Sequence, residues 1–414
     1  MQNKKPCLSM SECFDKFEQL YGQRTLEQEN RYEQAFNAFK SAFGVTNAFV
    51  ASSSGRVEVC GNHTDHNGGK VLSCAVSLDT LCMFLPADDN KVIIKSDKYE
   101  DVVADLNNLD KDLSKDSAAL VRGVAHGLKL RNYNIGGFIA YTTSKVSGGA
   151  GISSSAAFEV LIAEIFNFLY NDSVIDEQTK AYVSQYAENV FFGKPCGLLD
   201  QTAISFGGLK KLDFKNPEKI EVTNVECNIK DFTFVLINTG GSHENLTDEY
   251  ASIPVEMRQV ANSYGVNRLI EITPEQFYKG LPERINNLCD RAVMRAVHFF
   301  EENARVESAV KSLQSNDFDA FAKAINESGV SSNCNLQNCF VPSEKCRAIP
   351  KAVALAKAFV GNGAVRVHGG GFAGCVLCVV KNEKLNDFVT NLSSLYGDEN
   401  VITLKVRSCG TIVL

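Results

Sequence analysis

The chain lacks several features that would place it at a membrane or on nucleic acid. No stretch of its 414 residues approaches the ~18 consecutive apolar residues that a membrane-spanning helix needs. Positive charge is not in excess, because 42 lysines and arginines face 49 aspartates and glutamates and leave a net charge of -7. Two lysines near the start precede no apolar segment, so we expect no signal peptide. These absences predict a soluble, cytoplasmic protein without a nucleic-acid or membrane partner.

Internal repeats and low-complexity tracts are also missing, and the composition is that of a globular chain. Hydrophobic residues make up 44% and charged residues 22%, and a chain of this length favours two domains. The 14 cysteines lie mostly in apolar runs, as at Cys60, Cys74 and Cys82, so we expect reduced, buried thiols. The pair Cys375 and Cys378 lies in a strand-like run without the turn and second ligand pair of a zinc knuckle.

Hydrophobic periodicity predicts strands and helices mixed without a regular βαβ alternation, which favours an α+β fold. Helices are expected at 9–43, 117–130, 154–170, 176–192, 254–263, 284–303 and 345–360. Strands are expected at 56–60, 71–84, 136–143, 203–214, 232–239, 363–368, 374–380 and 401–407. A polar turn with a proline near 215–219 predicts a boundary between domains 1–215 and 216–414.

The most informative segment is SGGAGISSSAA at 147–157, which lies between a predicted strand and an apolar helix. Glycines let the backbone approach a phosphate closely, and the free N–H groups at a helix start attract anions. A flexible linker or a simply capped helix would be the alternative, but a linker rarely runs straight into an apolar helix. The segment therefore predicts a phosphate-binding loop, although it is not a GxxxxGK[ST] loop.

A second segment, SGRVEVCGNHTDHNGG at 54–69, concentrates polar side chains in a short turn between strands. Donors and acceptors at this density suit a ligand with many hydroxyl groups. His63 and His66 could instead bind a metal, but their spacing without helical context does not favour zinc.

Two shorter segments are weaker signals by themselves. HGGGFAG at 368–374 lies between two strand-like runs, where a tight hairpin would also explain it. PCGLLDQ at 195–201 presents one acid, Asp200, from an apolar turn, where a simple Asx-type cap is the common explanation.

Together the four segments resemble the GHMP kinase superfamily and, within it, the galactokinase family. Residues 54–72 are similar to that family's sugar-binding signature, and 149–155 to its GAGLSSS loop except at Ile152. Residues 195–201 resemble its CGxxDQ segment and 366–375 its RxxGGGFGGC segment. The resemblance implies a two-domain α+β fold with the active site in the cleft between domains, and an N-terminal domain that binds sugar and phosphate.

The resemblance also implies an activity and the residues that carry it. The expected reaction moves a phosphoryl group from ATP to the anomeric hydroxyl of galactose, with Mg²⁺ as cofactor. Asp200 would take the proton of that hydroxyl, and Arg56 would stabilise developing negative charge. Ser155 and Glu188, the latter in an Ala-Glu-Asn pattern, would bind Mg²⁺. The sugar would contact Asn62, His63, Thr64, Asp65 and Tyr250. ATP would contact Ser96, Gly149, Ala150, Gly151, Ile152, Ser153, Ser154 and Ser155.

Several positions depart from the family pattern and leave alternatives open. Asn62 replaces the family's glutamate, His66 its tyrosine, Ser54 a proline and Ala373 a glycine. An asparagine that faces the ligand at position 62 would remove repulsion against a sugar carboxylate, so galacturonate competes with galactose. An amino sugar such as N-acetylgalactosamine is another candidate. A non-catalytic sensor of galactose and ATP is the alternative of a different class. The sequence implies no particular protein partner.

Overall fold

The computed structural model describes residues 7, 9–97, 99–111, 115–146, 151–241 and 246–414. Its strands are β1 (Phe49–Cys60), β2 (Lys70–Pro86), β3 (Lys91–Ser96), β4 (Val102–Asp105), β5 (Phe138–Ser144), β6 (Leu209–Asp213), β7 (Glu221–Asn224), β8 (Phe232–Asn238), β9 (Ala364–His368), β10 (Cys375–Lys381), β11 (Val401–Leu404) and β12 (Ile412–Val413). Its α-helices are α1 (Met10–Phe14), α2 (Phe17–Tyr21), α3 (Leu26–Phe43), α4 (Ser117–Lys129), α5 (Ser154–Tyr170), α6 (Glu177–Tyr186), α7 (Leu199–Phe206), α8 (Thr247–Ser263), α9 (Pro274–Gly280), α10 (Asp290–Gln314), α11 (Phe318–Ser331), α12 (Ala348–Phe359) and α13 (Asn382–Tyr396).

The first sheet has eight strands and is built on the long antiparallel pair β1 and β2. Its order is β12-β1-β2-β5-β3-β4, with β6 paired to β2 and β7 to β6, and β3 runs parallel to β5. Every residue of β1 is buried, because helices and loops cover both faces of this strand. The strand that carries Arg56 is therefore held rigidly, and it pairs Arg56 with Ala75 of β2.

The second sheet has four antiparallel strands in the order β11-β8-β10-β9. Cys375 and Cys378 lie in β10 and are fully buried, as the strand interpretation predicted. Cys289, Cys334 and Cys346, in contrast, are exposed rather than buried. The chain is a mixed α+β fold, which confirms the predicted fold class.

The N-terminal helices α1–α3 pack against the first sheet around one buried carboxylate. Asp79 of β2 is inaccessible to solvent and accepts hydrogen bonds from the Tyr21 hydroxyl at 2.7 Å and from Arg31 Nη1 at 2.6 Å. Arg407 Nη1 lies 3.9 Å from its other side. Because a buried charge needs partners, this cluster joins the helices, the sheet and the C-terminal segment.

The strand predicted at 203–214 is wrong in its first half. The chain is helical in Leu199–Phe206 and forms a strand in Leu209–Asp213. Helix α7 packs against α5 and α6 and is buried almost all round, so no exposed polar face marks it as a helix. This helix also carries Asp200 in its first turn.

The predicted domain boundary at 215/216 falls in the turn between β6 and β7, both of the first sheet, and the division stays a prediction. None of the helices in the described ranges combines the length and the apolar character that a bilayer crossing requires.

Candidate active site

Arg56 and Asp200 form a two-armed ion pair at the centre of the site. Arg56 Nε donates to Asp200 Oδ1 at 2.7 Å, and Nη2 donates to Oδ2 at 2.9 Å. The Arg56 side chain is only 7% exposed, whereas that of Asp200 is 34% exposed. The planar guanidinium therefore orients the carboxylate through two hydrogen bonds, and the exposed part of the carboxylate remains accessible to a ligand.

The surroundings of Asp200 keep its carboxylate ionised. Burial alone would raise its pKa, but the charge and hydrogen bonds of Arg56 and the hydroxyl of Ser153 outweigh that effect and lower it. Ser153 Oγ donates to Asp200 Oδ2 at 2.5 Å. An ionised carboxylate in this position can accept a proton at neutral pH.

The start of α5 lies directly beside this pair. Arg56 Nη1 donates to the carbonyl of Gly151 at 2.6 Å, and the Arg56 backbone N–H donates to the carbonyl of Ile152 at 3.2 Å. Gly151 and Ser153 both have positive φ, 67° and 64°, so the chain turns sharply before the helix begins at Ser154. The N-cap residue Ser153 makes no capping hydrogen bond with its side chain, so it does not compete with an anion for the first N–H groups.

Not every residue of the predicted phosphate loop can be placed. Gly149 and Ala150 lie outside the described residues. The side chain of Ile152 is 1% exposed and packs in the core, so only its backbone borders the site.

Ser155 and Glu188, the predicted metal ligands, are brought together by two different elements. Ser155 is in the first turn of α5, and Glu188 lies in the π-helical segment Ala187–Phe192 that continues α6. Ser155 Oγ donates to Glu188 Oε1 at 3.1 Å. Such π-helical turns are frequent at functional sites, because the wider turn redirects side chains.

The sugar-signature segment forms a short turn closed by its own hydrogen bonds. Thr64 is buried and donates its hydroxyl to the carbonyls of Gly61 and Lys70 at 3.0 and 2.7 Å, so it shapes the turn from within. Asp65 lies against Gly197, where an added Cβ would sit 1.8 Å from Oδ2. Only glycine at position 197 therefore allows the carboxylate of Asp65 to approach the loop that leads to Asp200.

His63 and Tyr250 meet the triple-glycine turn after β9. His63 Nε2 donates to the carbonyl of Gly370 at 2.9 Å, and Tyr250 donates its hydroxyl to the carbonyl of Gly371 at 3.0 Å. Burial, with His66 nearby, lowers the pKa of His63 to about 4, so its ring is neutral at physiological pH. An added Cβ on Gly370 would lie 2.6 Å from the Tyr250 ring, which explains why a glycine is needed here.

The site thus combines Arg56 of the first sheet with the turn after β9 of the second sheet. Comparison with known proteins identifies the family of the chain. Three family models match the chain. The galactokinase galactose-binding signature matches residues 37–86, the GHMP kinases N terminal domain matches 119–208, and the GHMP kinases C terminal matches 309–396. A galactokinase of Glaesserella parasuis is 31% identical over 358 residues, covering 84% of this chain and 89% of its own. The chain belongs to the galactokinase family.

A further relative supports the family, and two solved structures support the fold. A galactokinase of Actinobacillus pleuropneumoniae is 31% identical over 382 residues, covering 91% of this chain and 96% of its own. The crystal structure of Lactococcus lactis galactokinase complexed with galactose superposes with a TM-score of 0.82 at 23% identity, over 93% of this chain and all of that one. The mevalonate kinase of Methanococcus jannaschii superposes with a TM-score of 0.61 at 16% identity, over 87% of this chain and 98% of its own. The expectation of a sugar kinase in the GHMP superfamily is confirmed.

The side chain of Asn62 lies in a buried polar cluster, whereas the sequence predicted that it faces the ligand. Its side chain is fully buried, and its amide nitrogen donates to Glu58 Oε1 at 2.9 Å and to the carbonyl of Gly369 at 2.8 Å. Its amide oxygen accepts from Asn338 at 2.8 Å and from Ser332 at 3.2 Å. All four hydrogen-bonding positions of the Asn62 amide are taken by protein, so it has none left to offer a ligand.

Ser96 is also apart from the site in its contacts. It ends β3, donates its hydroxyl to the carbonyl of Tyr99 at 3.1 Å and accepts the N–H of Tyr99 at 2.9 Å. In the described part of the chain, no hydrogen bond joins Ser96 to the other predicted residues, and its role toward ATP stays a prediction.

The sequence interpretation missed three polar residues around Glu188. The amide nitrogen of Gln201 donates to Glu188 Oε2 at 3.0 Å and to Glu159 Oε2 at 3.1 Å. Glu159 is fully buried, and burial together with the charge of Glu188 raises its pKa well above the ordinary value. Lys194 Nζ lies 2.9 Å from Glu188 Oε1. Glu159 lies one helical turn after Ser155, so helical spacing was the signal that could have found it. Gln201 directly follows Asp200 in the segment that resembles CGxxDQ, and that motif was its signal.

Proposed function

We propose that this chain transfers the γ-phosphoryl group of ATP to the anomeric hydroxyl of galactose and releases galactose 1-phosphate and ADP. The observation that carries the proposal is the ionised Asp200, clamped by Arg56 next to the uncapped start of α5. The names of the relatives and the match to the galactose-binding signature support galactose as the acceptor.

Each group has a task in the proposed reaction. Asp200 takes the proton from the sugar hydroxyl as the oxygen attacks phosphorus. Arg56 keeps the carboxylate aligned, and its charge stabilises the negative charge that develops on the transferring group. The N–H groups at the start of α5 bind the phosphates of ATP. His63, Asp65 and Tyr250 border the sugar from the opposite side.

We propose Ser155 and Glu188 as the protein ligands of Mg²⁺. Their two oxygens lie 3.1 Å apart, and hydroxyl and carboxylate oxygens suit this hard ion. No group of three or more His, Cys, Asp or Glu side chains in the described ranges is arranged to hold a metal. A pair still fits, because Mg²⁺ is usually bound through one or two carboxylates plus substrate phosphates. When bound, the ion would neutralise charge on the β- and γ-phosphates.

The position of Asn62 also bears on the choice of sugar. The argument for galacturonate required Asn62 to face the ligand, and its amide is fully hydrogen-bonded to protein. Galactose is therefore the acceptor that the site supports best, ahead of galacturonate and N-acetylgalactosamine. We further propose that the protein acts in the cytoplasm, since exposed thiols such as those of Cys289, Cys334 and Cys346 suit a reducing compartment.

A direct test is ADP release with galactose, galacturonate and N-acetylgalactosamine, with the product identified by ³¹P NMR. We expect galactose to give the highest kcat/KM and a phosphate coupled to the anomeric proton. Preference for galacturonate would overturn the substrate, and sugar binding without any turnover would favour the non-catalytic sensor.

A further inference from the structure

Lys194 stands out among the charged side chains near the site because the proposed reaction gives it no task. It follows Gly193, whose φ of 76° ends the π-helical segment Ala187–Phe192. The Lys194 N–H donates to the carbonyl of Glu188 at 3.0 Å, and its side chain folds back so that Nζ lies 2.9 Å from Glu188 Oε1. A lysine at a helix end is common, so this contact alone carries no functional conclusion.

The oxygen that Lys194 contacts is the one that Ser155 also contacts. Ser155 Oγ lies 3.1 Å from Glu188 Oε1. The ammonium therefore lies against the same carboxylate oxygen that the proposed metal site uses. A divalent cation and an ammonium group cannot both occupy that oxygen at short range, because the two positive charges repel each other.

The partners of Glu188 differ in how easily they can leave. Gln201 is fully buried and is held by Glu159 as well. The Lys194 side chain, in contrast, is 54% exposed while that of Glu188 is 4% exposed. An exposed lysine with a flexible side chain can leave such a contact at little cost in free energy. Moving Gln201 would instead leave the buried carboxylates of Glu188 and Glu159 without this hydrogen-bond donor.

The other groups around the Lys194 ammonium indicate where it can go. Ser155, which shares Glu188 Oε1 with Lys194, is in the first turn of α5. The ammonium therefore lies beside the start of α5, where the phosphates of ATP are proposed to bind. The transferring phosphoryl group must pass through this region, and phosphate oxygens are strong acceptors for an ammonium group.

We propose that Lys194 is the exchangeable counter-ion of Glu188: it gives way to the divalent cation and then contacts phosphate oxygens of the nucleotide. Lys194 thereby becomes a catalytic residue of the reaction, in addition to Arg56 and Asp200. This inference rests on the proposed function, since the phosphate it contacts is that of the transferred group.

The test separates the two parts of the role by their opposite signs. In Lys194→Met the competing ammonium is gone, so Mn²⁺, measured by electron paramagnetic resonance without sugar or nucleotide, should bind about two- to fivefold more tightly. In the same variant kcat/KM for ATP should fall roughly 10- to 100-fold, because a charge-assisted hydrogen bond to phosphate is lost. Lys194→Arg, which keeps the positive charge, should retain most of the wild-type kcat/KM for ATP.

A matched control is Lys323→Met, which removes a 76% exposed lysine paired with Glu327 on α11 and should change neither quantity. Mn²⁺ affinity that is unchanged or weaker in Lys194→Met would overturn the proposal and leave Lys194 as a helix-end counter-ion. An unchanged kcat/KM for ATP would overturn it as well. If the wild-type protein phosphorylates no sugar, the proposed function fails, and the Mn²⁺ titration still decides whether Lys194 competes with the cation.

Discussion

Asn62 donates its side-chain amide to the carboxylate of Glu58 at 2.9 Å, in a place where Asn62 is inaccessible to solvent and Glu58 is 3% exposed. Arg366 Nη2 donates to the same Glu58 oxygen at 2.8 Å. The charge of Glu58 is therefore balanced by one buried arginine, and the amide of Asn62 completes its hydrogen bonds. This buried pair directly precedes the turn that carries His63 and Asp65.

The first prediction is that Asn62→Glu destabilises the fold whichever sugar is the substrate. A glutamate here would place a second carboxylate against Glu58 and remove two donors, and such an unpaired buried charge costs about 3–5 kcal/mol. Urea denaturation should show the loss. Asn286→Glu, at an exposed position, is the matched control and should change stability little. An Asn62→Glu variant as stable as this control would contradict the structural role of Asn62 in the buried polar cluster.

The second prediction concerns the proton acceptor. Asp200→Asn keeps the shape of the side chain but cannot take a proton, so kcat should fall by about 10²–10⁴-fold. Galactose affinity measured by calorimetry should stay within a few-fold, because the amide can still accept a hydrogen bond from Arg56. Turnover close to that of the wild type would remove Asp200 from its assigned role.

The third prediction concerns Mg²⁺. Glu188→Ala removes the carboxylate proposed as a metal ligand, so the Mg²⁺ concentration for half-maximal turnover should rise strongly. Galactose binding, titrated without nucleotide, should change little, because Glu188 contacts Ser155, Lys194 and Gln201 and none of the sugar-signature residues. A parallel loss of galactose affinity would show that Glu188 organises the whole site instead.

The fourth prediction concerns Gln201 as a positioning residue. Gln201→Met keeps the volume but loses the nitrogen that joins Glu188 to Glu159, so Glu188 loses its orientation. The half-saturating Mg²⁺ concentration should rise about 10- to 100-fold, as is typical when a group behind a metal ligand is lost. KM for galactose should be nearly constant. Gln19→Met, at an exposed position of α2, is the control. An equal change in both parameters would indicate general unfolding of the site.

The fifth prediction is a pH dependence of stability that originates at Glu302. This carboxylate is buried and accepts the N–H of Gly61 at 3.0 Å. Burial would raise its pKa, but neighbouring groups, Arg366 and Arg305 among them, lower it from 4.5 to about 2. A lowered pKa means that Glu302 stabilises the fold above pH 4.5 and that this contribution disappears as the pH falls toward 2.

Wild-type protein should therefore lose free energy of unfolding between pH 4.5 and 2 more steeply than Glu302→Gln, which cannot titrate there. Denaturation at several pH values measures both slopes. Glu301→Gln, the more exposed neighbour that also binds Arg305, should keep the wild-type slope. Identical slopes for Glu302→Gln and the wild type would contradict the assignment.

Much of the site was predictable because its residues lie in short, ordered segments. Arg56, Ser155, Glu188 and Asp200 come from four sequence segments, and the structure joins them in two contacting pairs. The helical state of Leu199–Phe206 was not predictable, because a short apolar run that is buried all round fits a strand equally well. Lys194 was also missed, since a lone lysine in a loop has no spacing to indicate its partner.

The α+β class, the family and the identity of the polar groups could be predicted from the amino-acid sequence, because they depend on local pattern and on motifs read in order. Contacts between distant segments settle which of those side chains turn into the protein interior. Asn62 turns inward because Glu58, Gly369, Ser332 and Asn338 surround it with matching donors and acceptors. Those partners lie up to 276 residues away along the chain. The orientation of a buried amide depends on all of its hydrogen-bond partners together, and folding brings them into contact.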